Sequence, residues 1–358
     1  MHKMMDMTIG IAAPLSGRAA GLGAEMQQAA QLAIQEKNDS GGIAGIKIRT
    51  VLVDDGSNVP KAEEAAKKLC SEKNILGIIG HYSSDTSLAA AKIYNEQGLP
   101  LLSPIASNPL LTGSGLPNIF RYTNRDDRTA QAISRHLYQV LHKRTAVVIK
   151  TNTAYGHSMS GQFEKAFTGE GGHILSTFTI DEGTTDLSPL TASLSKETDL
   201  FFYGGTFEGA YLLKALRAGG YTQLMATGDG CWDKVNFLDI AGPSAETGEG
   251  VLVLSASSAI GEVPGSTEFA KKYERLYGPV INYALNAYDT TCILIRAIEE
   301  AAFAGRPDKE GILHSIKSIQ FTGIANPNPV AWDDKGDNSA AITRLYSVKN
   351  GRFIKAAT

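Results

Sequence analysis

Only three of the 358 residues are cysteines, Cys70, Cys231 and Cys292, an odd number with no CxxC or metal-ligand spacing. That excludes a disulfide framework and a structural zinc site, and no other metal centre is expected. No apolar run approaches the roughly 20 residues that a membrane-spanning helix needs. The opening Met1-His2-Lys3-Met4-Met5-Asp6 has no apolar core of the kind a secretory leader carries. Two readings of that start are open: a cytosolic chain, or one whose leader has been replaced by a start codon. Positive charge is also sparse and scattered, with 34 Lys and Arg against 37 Asp and Glu for a net charge of -3. Without a basic block, nucleic acid is not expected as a partner. Gly21, Gly23, Gly41 and Gly42 do not form Gly-x-Gly-x-x-Gly after a first strand, which disfavours a dinucleotide cofactor. No Gly-x-Ser-x-Gly nucleophile elbow is present either.

What is present is an alternation of β-rich and helical runs, in a chain longer than the roughly 250 to 300 residues at which a single core stops growing. Strands are expected at 8–13, 46–53, 75–80 and 99–103, with helices between them at 26–38, 60–69 and 88–96. The pattern restarts with strands at 145–150, 173–180, 199–203, 223–226 and 251–255 around helices at 159–167, 187–194, 207–218 and 234–241. Repeats of this kind define α/β lobes with doubly wound parallel sheets. The helical stretch 266–319 has too few strands for a third domain and is expected to return to the first lobe, while a last strand at 341–349 pairs with the second. The expected division is 1–121 with 256–330, and 122–255 with 331–358, joined by a three-segment hinge.

Hydroxyl residues cluster where strand gives way to helix: Ser83, Ser84, Thr86 and Ser87 after one run, Ser103 and Ser107 around the next. Any one of these is most simply a helix N-cap. Their recurrence on adjacent strands points to a receptor for a carboxylate or phosphate at the carboxyl edge of a parallel sheet. Other polar residues read more plainly. Asp54 and Asp55, adjacent at a strand end, are expected in a surface turn. His81 with Asp85 and a serine does not make a convincing catalytic set, Cys231 lacks a histidine partner in sequence, and Cys70 and Cys292 fall in apolar helical runs as core packing.

Seven local strings, in order and spacing, resemble the branched-chain amino-acid binding proteins of ABC importers, which have the type I periplasmic binding protein fold. They are Ile11 to Gly17 (IAAPLSG), Ser40 to Gly45 (SGGIAG), Asp54-Asp55, Gly80-His81 with the stretch 93–107, Tyr155-Gly156, Tyr203 to Gly205 (YGG) and Trp332 to Asp337 (WDDKGD). The resemblance covers nearly the whole chain. It implies that Ser84 and Ser107 hold the carboxylate of a bound amino acid. It also implies that the Ile105 carbonyl, the Ser107 hydroxyl and Asp229 hold its ammonium, that Tyr155 closes over it, and that Tyr283 forms an aromatic wall. Asp229 stands where the family commonly has the longer Glu. The family's small disulfide has no counterpart, Ser57 and Ser83 lying at the corresponding positions. Leu22, Tyr82 and Thr206 depart from the usual residues and reshape the pocket, and Trp232 and Phe207 either line its side-chain end or pack helices.

The leading expectation is a monomeric, non-enzymatic, periplasmic receptor that needs no cofactor. It takes a free, mainly apolar amino acid between two lobes and delivers it to a membrane permease. The alternatives are a receptor for another small carboxylate, an amide or a non-proteinogenic amino acid, a cytosolic sensor of the same fold, and, last, an enzyme. Asp229 separates the first two, because an unpaired carboxylate attracts a zwitterion and repels a simple anion.

Overall fold

Strands β3 (Ile75–Gly80, ILGIIG) and β8 (Leu200–Gly204, LFFYG) are unbroken apolar runs, buried along their whole length, as expected of parallel strands covered by helices on both faces. Each lies in the interior of its sheet, with a strand on either side. The computed structural model describes residues 7–281 and 283–356; the opening six residues, on which the reading of a missing leader rests, lie outside the described residues. The chain divides into two compact units, one running to Asn124 and taking in Ser257–Ile342, the other comprising Arg125–Ala256 and the tail from Thr343.

In the first unit β1 (Met7–Ala13), β2 (Ile48–Asp54), β3, β4 (Leu101–Ser103) and β5 (Ile119–Arg121) form a sheet in the order β2-β1-β3-β4-β5, with every pairing parallel. The helices between them are α1 (Ala20–Asp39), α2 (Val59–Ser71), α3 (Ser84–Glu96) and the single turn α4 (Leu110–Gly113). The second unit holds α5 (Asp126–Arg135), β6 (Thr145–Thr151), α6 (Ala154–Gly169), β7 (His173–Ile180), α7 (Ser188–Thr191), β8, α8 (Glu208–Ala218), β9 (Leu224–Thr227), α9 (Asp239–Ala241) and β10 (Val251–Ser255). Helices α10 (Ser266–Tyr277), α11 (Ala284–Phe303) and α12 (Lys309–Ser318) return to the first unit, where α11 packs along α1 and onto β3. A closing hairpin, β11 (Arg344–Lys349) and β12 (Arg352–Lys355), extends the second sheet antiparallel beyond β10. Asn350 and Gly351 turn it with φ of 52° and 64°, the left-handed pair that a two-residue hairpin turn favours.

The parallel part of the second sheet runs β7-β6-β8-β9-β10, so both units share one permutation, with the first strand lying between the second and the third. Crossovers therefore leave in opposite directions at β1/β3 and at β6/β8. The carboxyl ends of those strand pairs are the switch points where such sheets bind ligands.

The third passage between units lies at 342/343 rather than 330/331, and the first two at 124/125 and 256/257. Residues 333–338 stay with the first unit because Arg121, fully buried on β5, places its Nε and Nη2 2.9 and 2.6 Å from Asp337 Oδ1. The Arg121 amide also donates to the Gly336 carbonyl. Asp289 on α11 ties the neighbouring crossing segments, accepting from Tyr122 Oη at 2.7 Å and from the Ile324 and Ala325 amides at 2.9 and 2.8 Å. Complete burial still pushes its carboxyl up to about 6, against the pull of these donors.

Candidate functional site

At the first switch point the loop after β1 is shaped from the end of β2. Asp54 Oδ1 accepts from the amides of Leu15, Ser16 and Gly56 at 2.8, 3.2 and 2.8 Å. Burial would raise this carboxyl, but the donors, the Ser16 hydroxyl among them, outweigh it and hold it below its ordinary value. Asp55 does not lie in a surface turn. Adjacent residues at a strand end face opposite ways. The inward one, fully buried, has its Oδ2 2.6 Å from His81 Nδ1 and accepts from the Ser57 amide through Oδ1. His81 Nε2 lies 3.0 Å from Tyr94 Oη, so the partners of this histidine are Asp55 and Tyr94, not Asp85 and a serine.

The hydroxyl cluster beyond His81 sorts itself by partner. Ser83 is the N-cap of α3, its Oγ accepting from the Thr86 amide and lying 2.9 Å from Thr86 Oγ1, and Ser87 Oγ points back to the His81 carbonyl. Ser84, buried at the first position of the helix, has no hydrogen-bond partner for its hydroxyl among the described residues. Ser107, in the loop after β4, is likewise buried with an unpartnered hydroxyl among the described residues, while the Ser103 hydroxyl is sealed off from solvent altogether. The carbonyl next to Ser107, that of Asn108, accepts from Arg121 Nη1 at 2.6 Å.

Ile105 is buried in the same loop. Tyr283, also buried, precedes α11, whose Asn286 Nδ2 donates to the Pro104 carbonyl. Leu22 is buried in the first turn of α1, held against the β1 loop because Gly23 admits no side chain: a Cβ there would lie 1.9 Å from the Pro14 carbonyl oxygen. Tyr82 is half-buried in the turn before α3. The topology thus gathers Ser84, Ile105, Ser107, Tyr82 and Leu22 in the loops and first helical turns at one sheet edge, and Tyr283 directly precedes α11.

In the second unit Tyr155 stands in the first turn of α6, after β6, where Thr153 Oγ1 caps the helix by accepting from the Gly156 amide. Its hydroxyl donates to Asp229 Oδ1 at 2.7 Å and accepts from the Gly230 amide at 2.9 Å. Burial, reinforced by the charges of Asp229 and Asp126, pushes the Tyr155 phenol well above its usual value, so it keeps its proton and acts as a donor. Thr206 follows β8 and its hydroxyl donates to Glu208 Oε2 at 3.2 Å. Glu208, fully buried and not singled out from sequence, also accepts from the Gly183 amide at 2.7 Å. Tyr155, Thr206 and Asp229 meet around Gly230, where a Cβ would lie 2.5 Å from the Gly205 carbonyl oxygen, 2.9 Å from Tyr155 Cε1 and 3.2 Å from Thr206 Cγ2. Gly230→Ala is therefore expected to displace the Tyr155 ring from Asp229, at a cost of roughly 1 to 3 kcal/mol in stability and about tenfold or more in affinity. Calorimetry of the folded variant checks this, and parental affinity would remove Tyr155 from the site.

Trp232 lies 4.1 Å from Tyr346 and 4.5 Å from Phe353, ring centre to ring centre, and so covers the closing hairpin. Cys231 is fully buried with its Sγ 3.3 Å from the Thr206 carbonyl. Burial raises its thiol well above the usual range, which leaves no thiolate for nucleophilic attack. Cys70 and Cys292 are only partly buried. Among the described residues no group of three or more His, Cys, Asp or Glu is placed to hold a metal, and no helix is long and apolar enough to cross a membrane.

Unpartnered hydroxyls at a helix start on one switch point, and a carboxylate braced by a protonated tyrosine on the other, are the means of holding a small polar molecule, and they define a solute-binding protein. The chain belongs to the periplasmic binding protein family, whose model matches residues 6–351, and within it to the branched-chain amino-acid type, a group of receptors for ABC importers rather than of enzymes. It is 30% identical over 353 residues, 97% of this chain and 91% of the relative, to a Leu/Ile/Val-binding protein homologue of Brucella abortus. A leucine binding protein of Thermotoga maritima superposes with a TM-score of 0.86 at 26% identity, covering 98% of each chain. An ABC transporter substrate-binding protein of Desulfitobacterium hafniense, in complex with Leu, gives 0.81 at 26% identity over 98% of this chain and all of its own.

Proposed function

We propose that this receptor captures a free α-amino acid with a mainly apolar side chain and presents it to a membrane permease. It does so as a monomer in the periplasm. The observation that carries this reading is the chemistry at the two switch points: neutral donors on the first unit, from Ser84, Ser107 and the N–H groups opening α3, and one carboxylate, Asp229, on the second. An α-amino acid carries one group of each sign. Its carboxylate suits hydroxyls and the positive end of a helix, and its ammonium suits Asp229 together with the Ile105 carbonyl and Ser107 Oγ. Tyr155 donates one of its bonds to Asp229 and so orients the carboxylate from behind. Leu22, Tyr82, Thr206 and Tyr283 bound the side chain, and their difference from the residues common in the family favours a ligand range other than leucine, isoleucine and valine alone. The proposed anchors are divided between the two units of the chain.

A melting-point screen against amino acids, aromatic acids, amides, sugars and nucleotides tests the reading. Several apolar amino acids are expected to raise the melting point progressively with concentration, as mass action requires. Shifts with sugars or nucleotides alone would overturn it. Shifts with deaminated acids alone would favour the simple-carboxylate alternative.

A further inference from the structure

The buried set Asp55, His81 and Tyr94 is left over by the binding chemistry. None of the three is among the proposed ligand contacts, and all are fully buried side chains with hydrogen-bonding groups inside the first unit. Burying an imidazole between a carboxylate and a phenol is costly unless every polar atom is satisfied. Here each is. Asp55 Oδ1 takes the Ser57 amide at 2.9 Å, Oδ2 lies 2.6 Å from His81 Nδ1, and Tyr94 Oη lies 3.0 Å from Nε2. A carboxylate accepts, so Nδ1 donates. Burial holds the Tyr94 phenol well above its usual range, so Tyr94 keeps its proton, and the two contacts fix the ring's orientation.

The location gives the set its use. His81 is the first residue after β3, and Ser84 opens α3 three residues later. Asp55 follows β2 at the far side of β1, and Tyr94 lies in the last turns of α3 itself. The His81 ring thus ties the turn carrying Ser84 to the loop after β2 on one side and to its own helix on the other. The shorter bond, to a carboxylate, is the stronger of the two.

We infer that His81 is a positioning residue for Ser84: its bond to Asp55 holds the turn so that the Ser84 hydroxyl and the first N–H groups of α3 face the bound carboxylate. The inference rests on the reading of Ser84 as a ligand contact. Three variants test it, titrated calorimetrically with L-leucine and with the amino acid ranked first in the melting screen, well below each variant's melting point. His81→Asn keeps a donor at the position of Nδ1, His81→Gln places its amide near Nε2 instead, and His81→Leu removes both. His81→Asn is expected to bind within about threefold of the parent, and His81→Gln and His81→Leu to lose roughly tenfold or more, as loss of a charge-assisted bond implies. Rescue by Asn but not by Gln is an order that general loosening of the core does not produce. Ser84→Ala is the control. If it loses affinity while all three His81 variants bind as the parent does, or if their losses follow their melting points, the positioning role is overturned alone. If Ser84→Ala itself binds as the parent does, the site assignment is overturned and this inference with it.

Discussion

Asp229→Ala is expected to weaken amino-acid binding by roughly 2 to 5 kcal/mol, the cost of leaving a desolvated ammonium without its counter-charge, or from about thirtyfold to several thousandfold in Kd. The fold is expected to persist, since Asp229 opens a short turn after β9, where its Oδ1 accepts from Tyr155 Oη. In the variant the Tyr155 hydroxyl retains the Gly230 amide and is not left without a partner. The sign reverses for a ligand lacking the amine. A deaminated analogue of the same side chain is expected to bind Asp229→Ala better than it binds the parent, because the carboxylate that repelled it is gone. Calorimetry with the pair of ligands reads both arms. An affinity for the amino acid within about threefold of the parent, well under 1 kcal/mol, would rule out the ammonium assignment.

Asp337→Ala is expected to produce the largest loss of stability, about 3 to 5 kcal/mol, by leaving the Arg121 guanidinium buried without its carboxylate. Asp337 Oδ1 receives Arg121 Nε, Arg121 Nη2 and Thr112 Oγ1 together, so one truncation removes an acceptor that three donors share. Removing both charges is a milder change, because two apolar side chains of similar volume have no desolvation to recover. The pair Arg121→Met and Asp337→Leu is therefore expected to be more stable than Asp337→Ala alone. Urea unfolding of the three proteins decides: if the single variant unfolds with the parent, the pair is not what holds residues 333–338 to the first unit.

That pair also shows where sequence reasoning stops. Strands such as ILGIIG and LFFYG announce themselves because both faces are covered, and the hydroxyl residues that follow strands mark Ser84 and Ser107, whereas Tyr155, Thr206 and Asp229 are candidates only through the family resemblance. Trp332 to Asp337, by contrast, has no periodicity that would assign it to either unit. Its partner Arg121 is 216 positions away, and no local periodicity signals a contact of that separation. The third passage between the units was displaced for this reason. The same limit hid the partner of His81. Asp85, four residues on, was the nearer carboxylate in sequence, while Asp55, 26 residues back, is the one the parallel sheet delivers. The short edge strand β12, with only four residues, gave too little pattern to be separated from the turn before it.

Glycine at position 77 bears on how the chain is assembled over time. A Cβ there would lie 2.7 Å from Leu294 Cδ1, which means that α11 presses directly on the middle of β3. Those contacts join residues more than two hundred positions apart, and the whole second unit apart from its final hairpin is synthesised between them. A ribosome that has made β1 to β5 has therefore made a sheet with one apolar face covered only in part, by α1, and the cover over β3 arrives only after α11 emerges. A fragment ending at the first passage would keep the rest of that face exposed and is a poor candidate for independent folding. Such a chain has reason to complete its folding only once the last third of the sequence exists.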